Sequence, residues 1–117
     1  MANVVREKSF AFAVRIVKVC RQLSEQREWV LSKQLLRSGT AIGAMIREAE
    51  QAESKPDFIH KLAIALKEAN ETEYWLLLLQ STDYLEAAQF ESLHRDTLEL
   101  LKLLTSIIKS SRQRPKP

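Results

Sequence analysis

The chain has 117 residues, of which 45% are hydrophobic and 28% charged, with a net charge of +3, two glycines, three prolines and one cysteine. These values fit a single globular domain and exclude a disordered chain or a disulfide-rich scaffold. So few turn-forming residues argue against an all-β fold, and no apolar run approaches the ~20 residues of a membrane-spanning helix. The N-terminus lacks the apolar stretch of a secretory signal, so we expect a cytoplasmic location.

Apolar residues recur at helical spacing through four segments, the first running from about Val4 to Leu23. This first helix carries two apolar stripes. One consists of Phe10, Ala13, Val17 and Cys20, and the other of Phe12, Ile16, Val19 and Leu23. A helix in a bundle buries a stripe of little more than ~100°, so one chain does not hide both stripes. We therefore predict an oligomer interface at Phe12, Ile16, Val19 and Leu23.

The second helix is predicted from about Val30 to Ala52 and contains both glycines of the chain, Gly39 and Gly43. Each glycine costs roughly 1 kcal/mol relative to alanine in a helix interior. Small residues four apart allow another helix to approach closely, and we predict this role for the pair. A kink near Gly39 is the alternative.

The third helix is predicted to start at Ser54-Lys55-Pro56-Asp57, where Ser54 caps the helix and Pro56 occupies the first turn, and to end near Gln80. The fourth runs from about Glu86 to Ser110. The predicted core stripe of the second helix is Leu31, Leu35, Ser38, Ile42, Met45, Ile46 and Ala49. That of the third helix is Phe58, Leu62, Ala65, Ala69, Thr72 and Leu76. That of the fourth helix is Phe90, Leu93, Thr97, Leu101, Leu104 and Ile108. Opposite the core stripe of the third helix we expect a further part of the oligomer interface, formed by Ile64, Trp75 and Leu78.

Short connections between long helices predict an all-α, antiparallel up-down four-helix bundle over residues 1–111. Residues 112–117 form a basic tail with two prolines, predicted to be disordered. The surplus of apolar surface on the first helix predicts that several copies assemble into a homo-oligomer.

Metal binding and catalysis find little support. Glu91-Ser92-Leu93-His94 matches a Glu-x-x-His motif of di-metal bundles, but no acid on the core stripe of the first or second helix would complete the ligand set. His60 is predicted to face outward. We therefore predict no metal site, no cofactor and no enzymatic activity.

Basic residues suggest one function. Residues 1–47 carry nine basic and three acidic groups, residues 48–99 carry four and twelve, and residues 100–117 carry five and none. Lys8, Arg15 and Lys18 line the polar sector of the first helix, and Lys102, Lys109, Arg112, Arg114 and Lys116 crowd the C-terminus. Such charges suit phosphate contacts without sequence specificity, although ordinary solvated side chains remain the alternative.

Three stretches resemble the bacterial four-helix bundle proteins related to the 23S rRNA intervening-sequence protein, over about Lys8 to Ser110. They are KSFAFAVRIVKVCRQL, VLSKQLLRSGTAIGAMIREAE and ESKPDFIHKLAIALKEANETEYWLLLL. Where that family commonly reads Gly-Ala-Asn-Ile, this chain reads Gly43-Ala44-Met45-Ile46. The resemblance implies a bundle that assembles as a ring, with pentamers in the family. A related accessory protein of diversity-generating retroelements is a basic pentameric barrel to which binding of nucleic acid and of a reverse transcriptase is attributed.

The resemblance makes Arg15, Lys18, Arg37 and Arg47 candidates for phosphate contact, and the charge pattern adds Lys109 and Arg112. The first hypothesis is therefore a non-enzymatic homo-oligomer, pentameric by resemblance, that binds the backbone of RNA or DNA. The second is an oligomeric scaffold that binds another protein and no nucleic acid. A helical-bundle enzyme is the third.

Overall fold

The computed structural model describes residues 2–113, with side chains described from Val4 onwards. Four α-helices account for almost all of this range, and no strand occurs within it. The helices are α1 (Ala2–Glu25), α2 (Val30–Glu50), α3 (Lys55–Ser81) and α4 (Ala87–Gln113). Their order and positions confirm the prediction to within three residues at each end. None of the described helices combines the length and apolar character needed to cross a membrane.

The predicted start of α3 is confirmed in detail. The backbone N–H of Asp57 donates to Ser54 Oγ at 3.2 Å, and Pro56 lies in the first turn, where no intrahelical hydrogen bond is lost. The Asp57 carboxylate in turn accepts from the backbone N–H of Glu53 at 3.3 Å. The first of these contacts satisfies a donor that the first helical turn leaves unpaired, and the second fixes the residue before the cap.

The α1–α2 and α3–α4 turns share one geometry at the same end of the bundle. The backbone N–H of Glu28 donates to Leu23 O, and that of Tyr84 donates to Leu79 O, both at 2.9 Å. Arg27 in the first of these turns and Asp83 in the second adopt left-handed φ angles of 65° and 66°, respectively. Both turns are therefore Schellman caps in which a non-glycine residue occupies the position that glycine usually takes.

Each helix packs against its neighbours in the chain, and α1 also packs against α4, while the backbones of the diagonal pairs lie further apart. Cross-helix contacts fix the directions. Lys8 contacts Glu99 and Arg15 contacts Asp96, so α1 and α4 run antiparallel. The described chain is thus an up-down four-helix bundle with extents of 53 × 21 × 19 Å.

The core stripes predicted on α2, α3 and α4 face the interior. All their residues are buried except Leu31, Met45, Phe58, Phe90 and Leu101, which are half-buried and packed against the core. Leu79 and Leu100, outside the predicted stripes, are also buried. Between α3 and α2, a buried polar contact joins the hydroxyls of Thr72 and Ser38, which are hydrogen-bonded at 3.0 Å.

On α1 the structure corrects the sequence-based assignment of the two apolar stripes. The stripe predicted to form an oligomer interface is the core stripe, with relative exposures of 0–6% at Phe12, Ile16, Val19 and Leu23. These side chains pack within one chain and offer no surface to a second copy. Their spacing continues N-terminally to Ser9 and Val5, which are also buried, so this stripe runs along almost all of α1. In the other stripe Phe10 is 60% exposed, while Cys20 is buried.

Gly39 and Gly43 lie where α2 meets α1. A Cβ atom at Gly39 would lie 2.9 Å from the side chain of Ile16, and one at Gly43 would lie 3.4 Å from Ser9 O and Oγ. The helix is continuous through both positions, so no break occurs at Gly39. The absence of a side chain at Gly39 therefore permits the close approach of α1, whereas a Cβ atom at Gly43 would make an ordinary van der Waals contact.

The C-terminal boundary differs from the prediction. Helix α4 continues to Gln113, so Arg112, predicted to begin a disordered tail, lies in its last turn. A cation there interacts favourably with the carbonyl end of the helix dipole. The rest of the predicted tail, residues 114–117, lies outside the described residues.

Candidate functional site

Several apolar side chains remain exposed or half-exposed on the outside of α1 and α2 and in the turn between them, and we call this surface the α1–α2 face. It consists of Phe10, Val14, Val17, Trp29 and Leu36. Phe10 and Trp29 are 60% and 61% exposed, so each leaves on the order of 100 Å² accessible. Val17, Trp29 and Leu36 line one open groove together with two cations, Arg21 and Lys33. Patches of this size on a small domain commonly mark interfaces.

The three residues predicted to form an interface on α3 are half-buried. Trp75 packs against the core, and its indole N–H donates to Glu71 Oε2 at 3.0 Å. Its ring also meets that of Tyr74 edge-on, with the ring centroids 5.0 Å apart. Trp75 is therefore fixed within the chain, while Ile64 and Leu78 retain partial exposure on the same helix.

Two of the predicted phosphate-contact residues are held in ion pairs within the chain. Arg15 Nη1 lies 2.6 Å from Asp96 Oδ2, and its Nη2 donates to Ser92 Oγ at 2.9 Å. Arg37 contacts Glu71 and, at 3.2 Å, Glu68. These acids offset the charge of both guanidinium groups, so they contribute less to binding a polyanion than unpaired cations do.

Glu71, which pairs with Arg37, has a pKa shifted from its ordinary value. The pKa of Glu71 is lowered, first by the hydrogen bond from the Trp75 indole and then by that from Arg37, because both favour the ionised carboxylate. The pKa of Arg37 is correspondingly raised, mainly by its hydrogen bond to Glu71. The two directions agree and describe one coupled, partly exposed network between α2 and α3.

The other four predicted phosphate-contact residues are exposed. Among the described residues, no ion pair involves Lys18, Arg47, Lys109 or Arg112. The structure does not gather them into one patch, since Lys18 lies on α1, Arg47 on α2 and the other two on the last turns of α4.

Sequence reasoning missed one cation that belongs with these residues. Arg95 is exposed on α4, seven residues before Lys102, which in turn lies seven residues before Lys109. A heptad returns to nearly the same side of a helix, so the three side chains share one side of α4. The spacing is visible in the sequence and could have revealed the set.

Polar and titratable groups elsewhere are engaged or dispersed. His94 Nε2 lies 2.7 Å from Glu73 Oε2 between α3 and α4, and its ring stacks on Phe90. His60 is exposed, as predicted. In the part of the chain that the structure describes, no three His, Cys, Asp or Glu side chains lie close enough to hold a metal ion. Cys20 is buried, and burial raises the pKa of its thiol.

Comparisons with known proteins agree with this bundle. The sequence matches the profile of the 23S rRNA-intervening sequence protein family over residues 1–106. It also resembles a protein of unknown function from the S23 ribosomal protein family of Bacteroides thetaiotaomicron VPI-5482, whose crystal structure was determined at 1.70 Å resolution. The two share 63% sequence identity with a TM-score of 0.91, covering 92% of this chain and 97% of the other. No curated protein sequence matches the chain.

Proposed function

We propose that this chain, which belongs to the 23S rRNA-intervening sequence protein family, is a non-enzymatic cytoplasmic homo-oligomer that binds the phosphate backbone of RNA or DNA. The family resemblance makes a pentameric ring the expected assembly. The observation that carries the binding proposal is the division of the cations into two groups. One group is neutralised inside the chain, and the other is exposed and unpaired.

The ion pairs neutralise part of the polarised charge in the sequence. Cations of α1 and α2 pair with acids of α2, α3 and α4, as Arg6 does with Glu50, Lys8 with Glu99, Arg15 with Asp96 and Arg37 with Glu68 and Glu71. Each pair brings a positive and a negative charge together, so the pair contributes little to the electrostatic potential at the surface. The exposed cations outside these pairs lie on all four helices, among them Lys18, Arg47, Lys109 and Arg112, and we propose that a subset of these cations contacts phosphates.

The proposal of self-association rests on the α1–α2 face. Its exposed apolar area is on the order of 400 Å², about half of what one partner contributes to a standard interface of ~800 Å² per side. The neighbouring exposed residues supply the remainder. Compared with the sequence-based hypothesis, the interface moves to the opposite side of α1, at Phe10, Val14 and Val17.

The same face supports the second candidate function, an oligomeric scaffold that binds another protein. An apolar groove with an exposed aromatic residue at its mouth is a common feature of protein interfaces, and Trp29 occupies that position here. In this alternative the exposed cations serve solubility alone.

Binding of labelled RNA and DNA across a salt series separates the two functions. With about four phosphate contacts, we expect affinity to fall on the order of 100-fold between about 50 and 200 mM salt. No binding at low salt would reject the nucleic-acid function and favour the scaffold. Light scattering on the purified protein tests the assembly separately, and a well-folded monomer at all concentrations would reject it.

A further inference from the structure

The outer side of α4 carries four exposed cations, which we call the α4 ridge: Arg95, Lys102, Lys109 and Arg112. The first three repeat every seven residues, and Arg112 follows Lys109 by three. At 1.5 Å per residue, each heptad step is about 10 Å, so the three heptad positions span about 20 Å on one straight helix. All four side chains are exposed.

Two acids that could neutralise this row are paired with α1. Glu99 lies four residues after Arg95, a spacing that suits an ion pair, but its carboxylate lies 3.1 Å from Lys8 Nζ on α1. Asp96 is paired with Arg15, also on α1. Ion pairs with α1 thus hold Glu99 and Asp96 at the α1–α4 seam, and neither acid is paired with a cation of the ridge.

The α3 side shows the same arrangement, since Glu73 is paired with His94 across the α3–α4 seam. Glu91, one turn before Arg95, marks the end of the positive row, and no acid follows Glu99 in α4. The ridge is therefore a row of cations along one continuous helix, and its net charge depends on the ion pairs that the neighbouring acids make.

From this geometry we propose that the α4 ridge binds the phosphate backbone of a nucleic-acid duplex without reading its bases. The inference rests on the proposed function and assigns that function a site and a substrate class. Single-strand binding depends on exposed aromatic side chains that stack on bases, whereas the large exposed apolar residue beside the ridge is aliphatic Leu98. A row of cations along one helix instead suits the regular row of phosphates in a duplex.

The test compares two double charge reversals of equal size. Lys102→Glu with Lys109→Glu alters the ridge, and Lys18→Glu with Arg47→Glu alters exposed cations on α1 and α2. Binding is measured by fluorescence anisotropy with a labelled RNA duplex of about two turns (~20 base pairs) and an unstructured single strand of equal length. Far-UV circular dichroism and thermal unfolding confirm that each variant is folded.

We expect the ridge variant to lose at least tenfold in duplex affinity and its log–log salt slope to fall in magnitude by about two. The duplex affinity of the α1–α2 variant should stay within about threefold of that of the parent, which corresponds to about 0.6 kcal/mol of binding free energy. The parent should prefer duplex over single strand.

Three outcomes contradict the inference in distinguishable ways. If the parent binds but the ridge variant binds equally well, or loses no more than the α1–α2 variant, the site is wrong and the proposed function stands. If the parent prefers the single strand, the substrate class is wrong. If the parent binds neither probe at low salt, the proposed function itself fails.

Discussion

Phe10 and Phe12 lie two residues apart in α1, and their truncation to alanine should affect different properties. Phe12→Ala should lower the stability of the fold, whereas Phe10→Ala should weaken association between copies. Phe12 is 1% exposed in the core, whereas Phe10 is 60% exposed on the α1–α2 face. Phe12→Ala should destabilise folding by about 3–5 kcal/mol, the usual cost of a phenylalanine-sized cavity. Against a total stability of about 5–15 kcal/mol for a domain, the variant would be marginal.

Phe10→Ala should change the stability of the single chain by about 1 kcal/mol or less, because most of its ring is already in water. If Phe10 lies in the interface, burying the remaining three-fifths of the ring contributes about 1–2 kcal/mol to association. Its loss should weaken each contact between copies by roughly five- to thirty-fold.

Urea unfolding followed by circular dichroism, at the lowest measurable protein concentration, gives the stability of both variants. Sedimentation velocity over a concentration series gives the association of the parent and of Phe10→Ala. Low concentration matters because association stabilises the folded chain by mass action. Were Phe12→Ala as stable as the parent, or Phe10→Ala unchanged in association, the assignment of the two stripes would be refuted.

Other predictions follow from local geometry. Gly39→Ala should destabilise folding by about 1–3 kcal/mol through overpacking against α1, whereas Gly43→Ala should be neutral or stabilising by up to about 1 kcal/mol; equal effects in thermal unfolding would contradict the packing. Arg27→Gly should stabilise folding by about 1 kcal/mol, because φ at this position is 65°, and a lower melting temperature would refute this. The pKa of Glu71 is lowered in the folded chain, chiefly by Trp75, so its contribution to stability is present above the unfolded pKa of ~4.3 and is lost as pH falls through the folded pKa. Glu71→Gln should therefore flatten the acid limb of stability in urea unfolding across about pH 5 to 3, and an unchanged acid limb would count against the network.

The helices and their ends were predictable because the signals are local. Ser54, Pro56 and Asp57 specify the start of α3 within four residues of sequence, and hydrogen bonds in the structure confirm the cap. The left-handed turns at Arg27 and Asp83 were not predictable in this way, since neither position carries the glycine that usually signals such a cap.

The two stripes of α1 show where periodicity stops being sufficient. Helical spacing identified both stripes but gave no direct reason to turn one of them inward. One signal was available in the sequence: the buried stripe extends from Val5 to Leu23, whereas the spacing of Phe10, Val14 and Val17 leads next to Arg21. In a bundle of long helices, a core stripe must run the length of the helix, because a charge within it would be buried without a partner.

The charges of the candidate site were harder to predict because pairing depends on register between helices that are distant in sequence. Arg15 and Asp96 are 81 residues apart and meet only because α1 and α4 are antiparallel neighbours. The family resemblance made Arg15 a phosphate-contact candidate, yet in the structure it serves α4 by binding an acid. The ion pair between Arg15 and Asp96 neutralises Arg15 and also removes a negative charge from beside Arg95. Positive charge is therefore presented to solvent at Arg95 on α4 and not at Arg15 on α1, while the net charge of the chain is unchanged.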